Sequence, residues 1–282
     1  MWKNSIVGGF MELKELYEKI ELQPEMVEQL LQIEKEFDFT KVDNLLQKML
    51  QADTTEQAYT ELSNVLKEDK GNMKMLYCQL ECARRTYEMY QTLQISEKIY
   101  VDTMKCFTRF AKECKKKNGA YFFDRSWWTC RQISMQLFRI GVLEYELCKK
   151  AGISVHIPSD ADFRKEQVDA SFQEAKEFFH QFYKEYENAE FFCESWLLSP
   201  YLEQLLPKES NILNFQKRFE ITKVYEEPKD FLEWLFQCSN NIAYGEENVI
   251  YEQLPEDTSL QRKAKQWLLQ GGKIGVAYGV VK

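Results

Sequence analysis

The stretch from Ile153 to Ile221 limits the architecture more than any other part of this chain. It reads ISVHIP, a helix-spaced segment, FFCESWLLSP, a second helix-spaced segment and KRFEI. Ile153, Val155 and Ile157 alternate, which sets three β-branched side chains on one face of a strand, and Pro158 ends it because proline has no N–H for a ladder. Beyond an acidic turn, Val168, Phe172, Ala175, Phe179 and Phe182 recur every three or four residues and so share one face of a helix. The order strand, loop, helix, strand belongs to α/β architecture, in which ligands settle in loops just past strand ends. The residues that follow ISVHIP are therefore the first place to look for a site.

The 282 residues, 44% of them hydrophobic and 14% aromatic, are enough for about two cores without disulfide support. A net charge of −8 repels phosphate backbones and anionic lipid surfaces, and no basic cluster interleaved with aromatics offsets it. Apolar runs fall well short of the roughly 18 residues of a membrane span, and MWKNSIVGGF lacks the long apolar core of a signal peptide. These features predict a cytoplasmic protein with no nucleic-acid or membrane partner. The eight cysteines contain no CxxC, and the two histidines, His156 and His180, give no zinc spacing. Buried reduced thiols and no metal are the expectation.

Helical spacing runs through most of the first 118 residues. Leu13, Leu16, Tyr17 and Ile20 form one stripe, and Pro24 opens a second helix bearing Met26, Val27, Leu30, Leu31 and Ile33. Further helices are predicted over 42–51, 55–68, 73–93 and 97–115, with Asp53 and Thr54 able to cap the fourth of these six. Lys115, Lys116 and Lys117 suit the cationic last turn of a helix, with Gly119 as its stop. A helical domain over 1–118 and a second domain over 119–282 follow. In the second, Trp128, Gln132, Met135 and Phe138 keep helical spacing, Gly141 turns the chain, and Leu143, Tyr145 and Leu147 alternate as in a strand. The short KKAG link predicts an antiparallel hairpin between LEYEL and ISVHIP. Toward the C-terminus, a helix over 258–269 leads into a last strand with Ile274, Val276, Tyr278 and Val280 on one face. Its other face, Gly275, Ala277 and Gly279, is small enough for a helix to pack closely.

DRSWWTCRQ, LFRIGVLEYEL, SVHIPSDAD, FFCESWLLSPYLEQLLP, SNILNFQKRFEI and LPEDTSLQRKAKQWLLQGGKIGVAYGVV together resemble a bacterial acyltransferase family. Its members join a helical N-terminal domain to a C-terminal domain similar to the GNAT (N-acetyltransferase) fold. The likeness implies an α+β protein whose second half is α/β-like, a GNAT-like mixed β-sheet flanked by helices. It also implies an N-acyltransferase moving an acyl group from acyl-CoA or acetyl-CoA to a small-molecule amine. In such folds a central strand, here ISVHIP, ends where the coenzyme pyrophosphate docks on the start of the next helix, here near Asp162. The adjacent strand would run from Glu190 to Leu198. The glycine-rich phosphate loop of that superfamily is replaced by PSDADF, whose Asp160 and Asp162 repel a pyrophosphate, and Phe215 and Gln216 stand where a tyrosine acid is usual. A binding protein that retains the fold without the chemistry is the alternative reading.

His156 lies on the strand face opposite Ile153, Val155 and Ile157, where a neutral imidazole can take a proton from an amine. A histidine packed or hydrogen-bonded under a helix explains the position as well. Glu144 and Glu146 share one face of LEYEL and would neighbour His156 in the hairpin, as a carboxylate and imidazole pair or as solvated glutamates. Pro158 and Ser159 at the strand end, Ser195 and Trp196 on the next strand, and Asn211 after Ser210 are the candidate coenzyme contacts. Trp196 also suits a core, and Asn211 a helix cap. Arg125, Arg131 and Arg139 are suited to phosphate and to carboxylates alike.

Overall fold

The computed structural model describes residues 11–149, 152–237 and 249–282. The chain divides into two compact units, Met1–Ile140 and Gly141–Lys282.

The described residues of the first unit are almost wholly helical: α1 (Leu13–Lys19), α2 (Pro24–Glu36), α3 (Asp43–Met49), α4 (Thr55–Val65), α5 (Met73–Thr92), α6 (Glu97–Met104), α7 (Cys106–Asn118) and α8 (Ser126–Ile133). α5 is buried over most of its length, with Leu76, Cys78, Leu80, Cys82 and Ala83 fully enclosed, so it is the element around which the others assemble. Two expectations change here. The helix predicted over 97–115 is two helices that meet at Lys105, where ψ is −9°. Thr54 precedes α4, but its hydroxyl donates to the Lys48 carbonyl at 2.6 Å instead of capping the helix. α7 does end on Lys115, Lys116 and Lys117, with Gly119 at φ 73° accepting the left-handed turn.

The helix predicted through Phe138 is shorter than its spacing suggests. α8 stops at Ile133 because Met135 takes a left-handed φ of 56° and the Gln136 N–H bonds back to the Arg131 carbonyl at 2.8 Å. Phe138 then falls in strand β1 (Leu137–Ile140), where its ring packs against Tyr90. Buried hydrogen bonds tie α8 to α5: Gln79 Nε2 donates to the Ser126 carbonyl at 2.7 Å, Thr129 Oγ1 to Gln79 Oε1, and Thr86 Oγ1 to the Ile133 carbonyl at 2.7 Å. Residues 119–140 consequently sit in the first unit, beyond the junction that the helix stop at Gly119 predicts.

The second unit contains β2 (Leu143–Cys148), β3 (Gly152–His156), α9 (Lys165–Phe182), β4 (Phe191–Ser195), α10 (Asn211–Gln216), β5 (Phe219–Tyr225), α11 (Asp230–Trp234), a further helix α12 (Ser259–Leu269) and β6 (Val276–Val281). Its strands run in the order β2-β3-β4-β6-β5. β2 and β3 form the expected antiparallel hairpin, pairing Glu144 with His156 and Cys148 with Gly152. β3 and β4 are parallel, joined through α9, and β6 lies antiparallel between β4 and β5. The sheet is therefore mixed, with helices, as an α+β reading requires.

α9 covers one sheet face. Phe172 and Phe179 meet the rings of Tyr145 and Phe191 edge-on at 6.1–6.3 Å, and Phe172 reaches Phe219, so the period-3.6 stripe of the helix and the period-2 faces of the strands close on each other. Two boundaries differ from expectation. α9 begins at Lys165 rather than near Asp162, because Asp162 bonds the Arg164 N–H and holds the chain in a turn. β4 is Phe191–Ser195, and Trp196–Leu198 coil into a short 3₁₀ turn in place of the expected strand end. The small face of β6 lies on the α9 side of the sheet, where a Cβ on Gly279 would come within 3.0 Å of Ile221 and Phe219 on the neighbouring strand. α12 starts as its sequence suggests, with Thr258 and Gln261 forming a reciprocal capping box.

Candidate active site

The alternation of the hairpin fixes which side chains share the sheet face away from α9. Tyr145, Ile153 and Val155 point to the helix and are buried, so Glu144, Glu146, Ser154 and His156 point the other way. Glu144 stands directly opposite His156, and Glu146 is its diagonal neighbour across the pair. The diagonal makes the bond: His156 Nε2 lies 2.7 Å from Glu146 Oε2. A carboxylate only accepts, so the proton resides on Nε2 and the basic lone pair of the neutral ring on Nδ1. The side chains are 27% and 19% exposed, and Glu144 is 2% exposed. The glutamates are therefore not fully solvated, and His156 is a partly buried, hydrogen-bonded histidine.

His156 ends β3 at the point where the two parallel strands stop pairing. Their register is Ile153 with Phe191 and Ser154 with Phe192, although β3 continues to His156 and β4 to Ser195. Pro158 is buried and Ser159 exposed at the end of one strand. Ser195 and Trp196 occupy the matching end of the other. The structure brings these four to one end of one strand pair. The Ser195 hydroxyl accepts the Leu197 N–H at 3.1 Å and so starts the 3₁₀ turn, while Trp196, 8% exposed, belongs to a hydrophobic cluster with Leu202, Phe231, Leu232 and Ile274, against which Ile157 and Phe163 pack. Trp196 is a core residue at a strand end. Asn211 is exposed at the first position of α10, and the cap of that helix is Ser210, whose hydroxyl accepts the Ile212 N–H.

The acidic turn is less repulsive than its sequence. Arg164 donates to Asp162 and holds its carboxyl below the usual range. At the first turn of α9, Lys165 and then Arg218 hold Asp169 low in the same way, and Arg218 also donates to the Lys165 carbonyl. The start of α9 thus gathers Arg164, Lys165 and Arg218 where PSDADF alone suggested only anions. Arg131 instead lies over the Trp128 and Trp127 rings at 4.5 and 5.7 Å, and Arg125 over Phe110.

Three residues on the same face as the dyad escaped the sequence reading: Phe192, Glu194 and Tyr278. The only signal was alternation within FFCES and VAYGVV, which does not say which face a ligand uses. An open groove of about 870 Å³, lined by His180, Glu187, Glu190 and Phe191, lies at the opposite end of β4. Among the described residues no group of three or more His, Cys, Asp or Glu could hold a metal, and no helix is long and apolar enough to cross a membrane. None of the seven described cysteines forms a disulfide, and six of them are buried. Burial pushes the Cys78 and Cys130 thiols up to about 12.

Comparison with curated proteins gave no match. Among solved structures, a variant of the acyltransferase orf11* in complex with octanoyl-CoA superposes with a TM-score of 0.75 at 19% identity, over 96% of this chain and 87% of that one. An acyltransferase in complex with CoA and 10C-teicoplanin gives 0.75 at 20% identity, over 96% and 88%. One with decanoyl-CoA and teicoplanin gives 0.68 at 17%, over 96% and 99%. At these identities the likeness establishes the fold. Residues 11–135 match the family model of the N-acyltransferase N-terminal domain, and residues 137–281 match that of the GNAT-like C-terminal domain. With more than half of its length in the second match and most of the rest in the first, the chain belongs to the GNAT-like family whose C-terminal domain follows an N-acyltransferase N-terminal domain.

Proposed function

We propose that the protein transfers an acyl group from acyl-CoA to a small-molecule amine, using the Glu146–His156 pair as its base. The observation that carries the reading is the 2.7 Å contact between these side chains at the end of β3, beside the parting of two parallel strands. Strand edges that have left their ladder present N–H and C=O groups, and an extended arm containing amides can pair with them. That matches the pantetheine of coenzyme A, and the solved acyltransferases of this fold bind octanoyl-CoA and decanoyl-CoA. Pro158, Ser159, Ser195 and Trp196 would line the arm, Asn211 would flank it, and Arg164, Lys165 and Arg218 would meet the phosphates.

In the reaction, His156 Nδ1 takes the proton from the acceptor nitrogen as that nitrogen attacks the thioester carbonyl carbon. The tetrahedral carbon then re-forms its carbonyl, the carbon–sulfur bond breaks, and the departing sulfur takes the proton from the His156 imidazolium, leaving as the thiol and restoring the neutral base. Glu146 fixes the tautomer and steadies the imidazolium while it exists. Buried thiols outside any disulfide suit a reducing compartment, so the cytoplasm is the expected location. Calorimetric titration with octanoyl-CoA, followed by thiol release in the presence of a panel of amines, tests the reading. Absence of acyl-CoA binding would refute the transferase role and leave an amine-binding protein with a retained fold.

A further inference from the structure

Gln216 closes α10, and both hydrogens of its buried side-chain amide are committed. Nε2 donates to the Leu197 carbonyl at 2.8 Å and to the Ser199 carbonyl at 3.0 Å. These carbonyls belong to the 3₁₀ turn that follows β4 and to its cap. An amide with both N–H groups engaged has no proton to offer a departing thiolate, so Gln216 does not replace the tyrosine acid whose place in the sequence it takes.

The same turn is fastened a second time. Ser199, fully buried, donates from its hydroxyl to the carbonyl of Ile274, two residues ahead of β6. The end of β4 is thus held on the β6 side, where pairing runs on to Ser195 with Ala277, whereas its pairing with β3 ends at Phe192. Phe215, the residue before Gln216, is fully buried, and its ring meets that of Phe163 edge-on at 5.2 Å. Phe163 lies in the loop between β3 and α9. The last two residues of α10 therefore touch both arms of the gap: one packs on the chain beyond β3, and the other hydrogen-bonds to the chain beyond β4.

We propose that Gln216 is a positioning residue, which with Ser199 fastens the turn after β4 to α10 and β6 and so keeps open the gap to β3 that acyl-CoA enters. This rests on the transferase reading for its ligand, and it assigns Gln216 no contact with the reacting atoms. Without these bonds the turn samples other arrangements, the fraction of chains competent to bind falls, and the apparent Kd rises by the inverse of that fraction. Each neutral hydrogen bond biases such an equilibrium by about two- to twelvefold, so loss of two should weaken binding roughly tenfold.

The test is calorimetric titration of the full chain with octanoyl-CoA, read beside backbone hydrogen exchange and steady-state thiol release. Gln216→Leu should raise Kd roughly tenfold and speed exchange of the Leu197 and Ser199 N–H groups, which bond within the turn. It should leave kcat at saturating octanoyl-CoA within about twofold, since the Glu146–His156 pair is untouched. Ser199→Ala, a milder change that serves if Gln216→Leu does not fold, should raise Kd about threefold. Phe178→Leu, which disturbs the packing of Phe182 and Tyr183 at the far end of α9, destabilises the same unit and should leave Kd unchanged. Faster exchange at parental Kd, a fall in kcat without a change in Kd, or an equal loss of affinity in Phe178→Leu would each overturn the positioning role alone. A parent that binds no octanoyl-CoA overturns the transferase reading and this role with it.

Discussion

Replacing Glu146 by glutamine keeps the shape of the side chain and removes the charge on which His156 leans. The two groups meet at 2.7 Å with 19% and 27% of their side chains exposed, a setting between bulk water and dry interior. A hydrogen bond to a charged group there contributes about 1.5–3 kcal/mol. The reaction feels this only as the imidazole takes its proton and the bond becomes charge-assisted, so the loss falls on the transition state and not on acyl-CoA binding. At about 1.36 kcal/mol per tenfold, kcat should drop roughly 12- to 160-fold with KM for octanoyl-CoA nearly unchanged. The assay is thiol release followed with a chromogenic disulfide over the first turnovers, where product release does not mask the chemistry. His156→Ala should cost about 10²–10⁴-fold in the same assay. A Glu146→Gln enzyme within about twofold of the parent, beside an inactive His156→Ala, would show that the carboxylate is structural. Parental turnover in His156→Ala would remove the base altogether.

Gly152 has φ 106°, and a Cβ there would stand 2.3 Å from the Glu190 carbonyl that accepts the Ile153 N–H. Gly152→Ala should therefore destabilise by at least about 2 kcal/mol in urea unfolding, and a loss under about 0.5 kcal/mol would contradict this account of the turn. Leu232, fully buried in the Trp196 cluster, should cost about 2–5 kcal/mol as Leu232→Ala, measured the same way. Burial works against the charge of Glu81, yet its hydrogen bonds from Arg84 and Arg85 hold the carboxyl below its ordinary value. A depressed folded value contributes stability above the unfolded value and loses it as pH falls through the folded one. Glu81→Gln should accordingly lower the melting temperature at pH 7, and its difference from the parent should shrink toward pH 3; a constant difference would refute the assignment.

Local periodicity carried much of the architecture. The stripe from Val168 to Phe182 and the alternation of Ile153, Val155 and Ile157 each encode a face, and a short link encodes the hairpin, because these signals act within about twenty residues. Boundaries were less legible. Met135 and Asp162 end or delay helices through a left-handed backbone turn and a side-chain bond to a nearby N–H, which residue spacing does not report. The sequence by itself determined that Glu144, Glu146 and His156 share a face if the hairpin forms. Only the tertiary structure decided that the diagonal Glu146, and not the opposing Glu144, grips the imidazole. It alone also stacked Phe192 on Tyr278, eighty-six positions away (278 − 192). Strand order across a sheet depends on which distant segments pair, and that choice is made by packing the whole unit rather than by any one stretch of it.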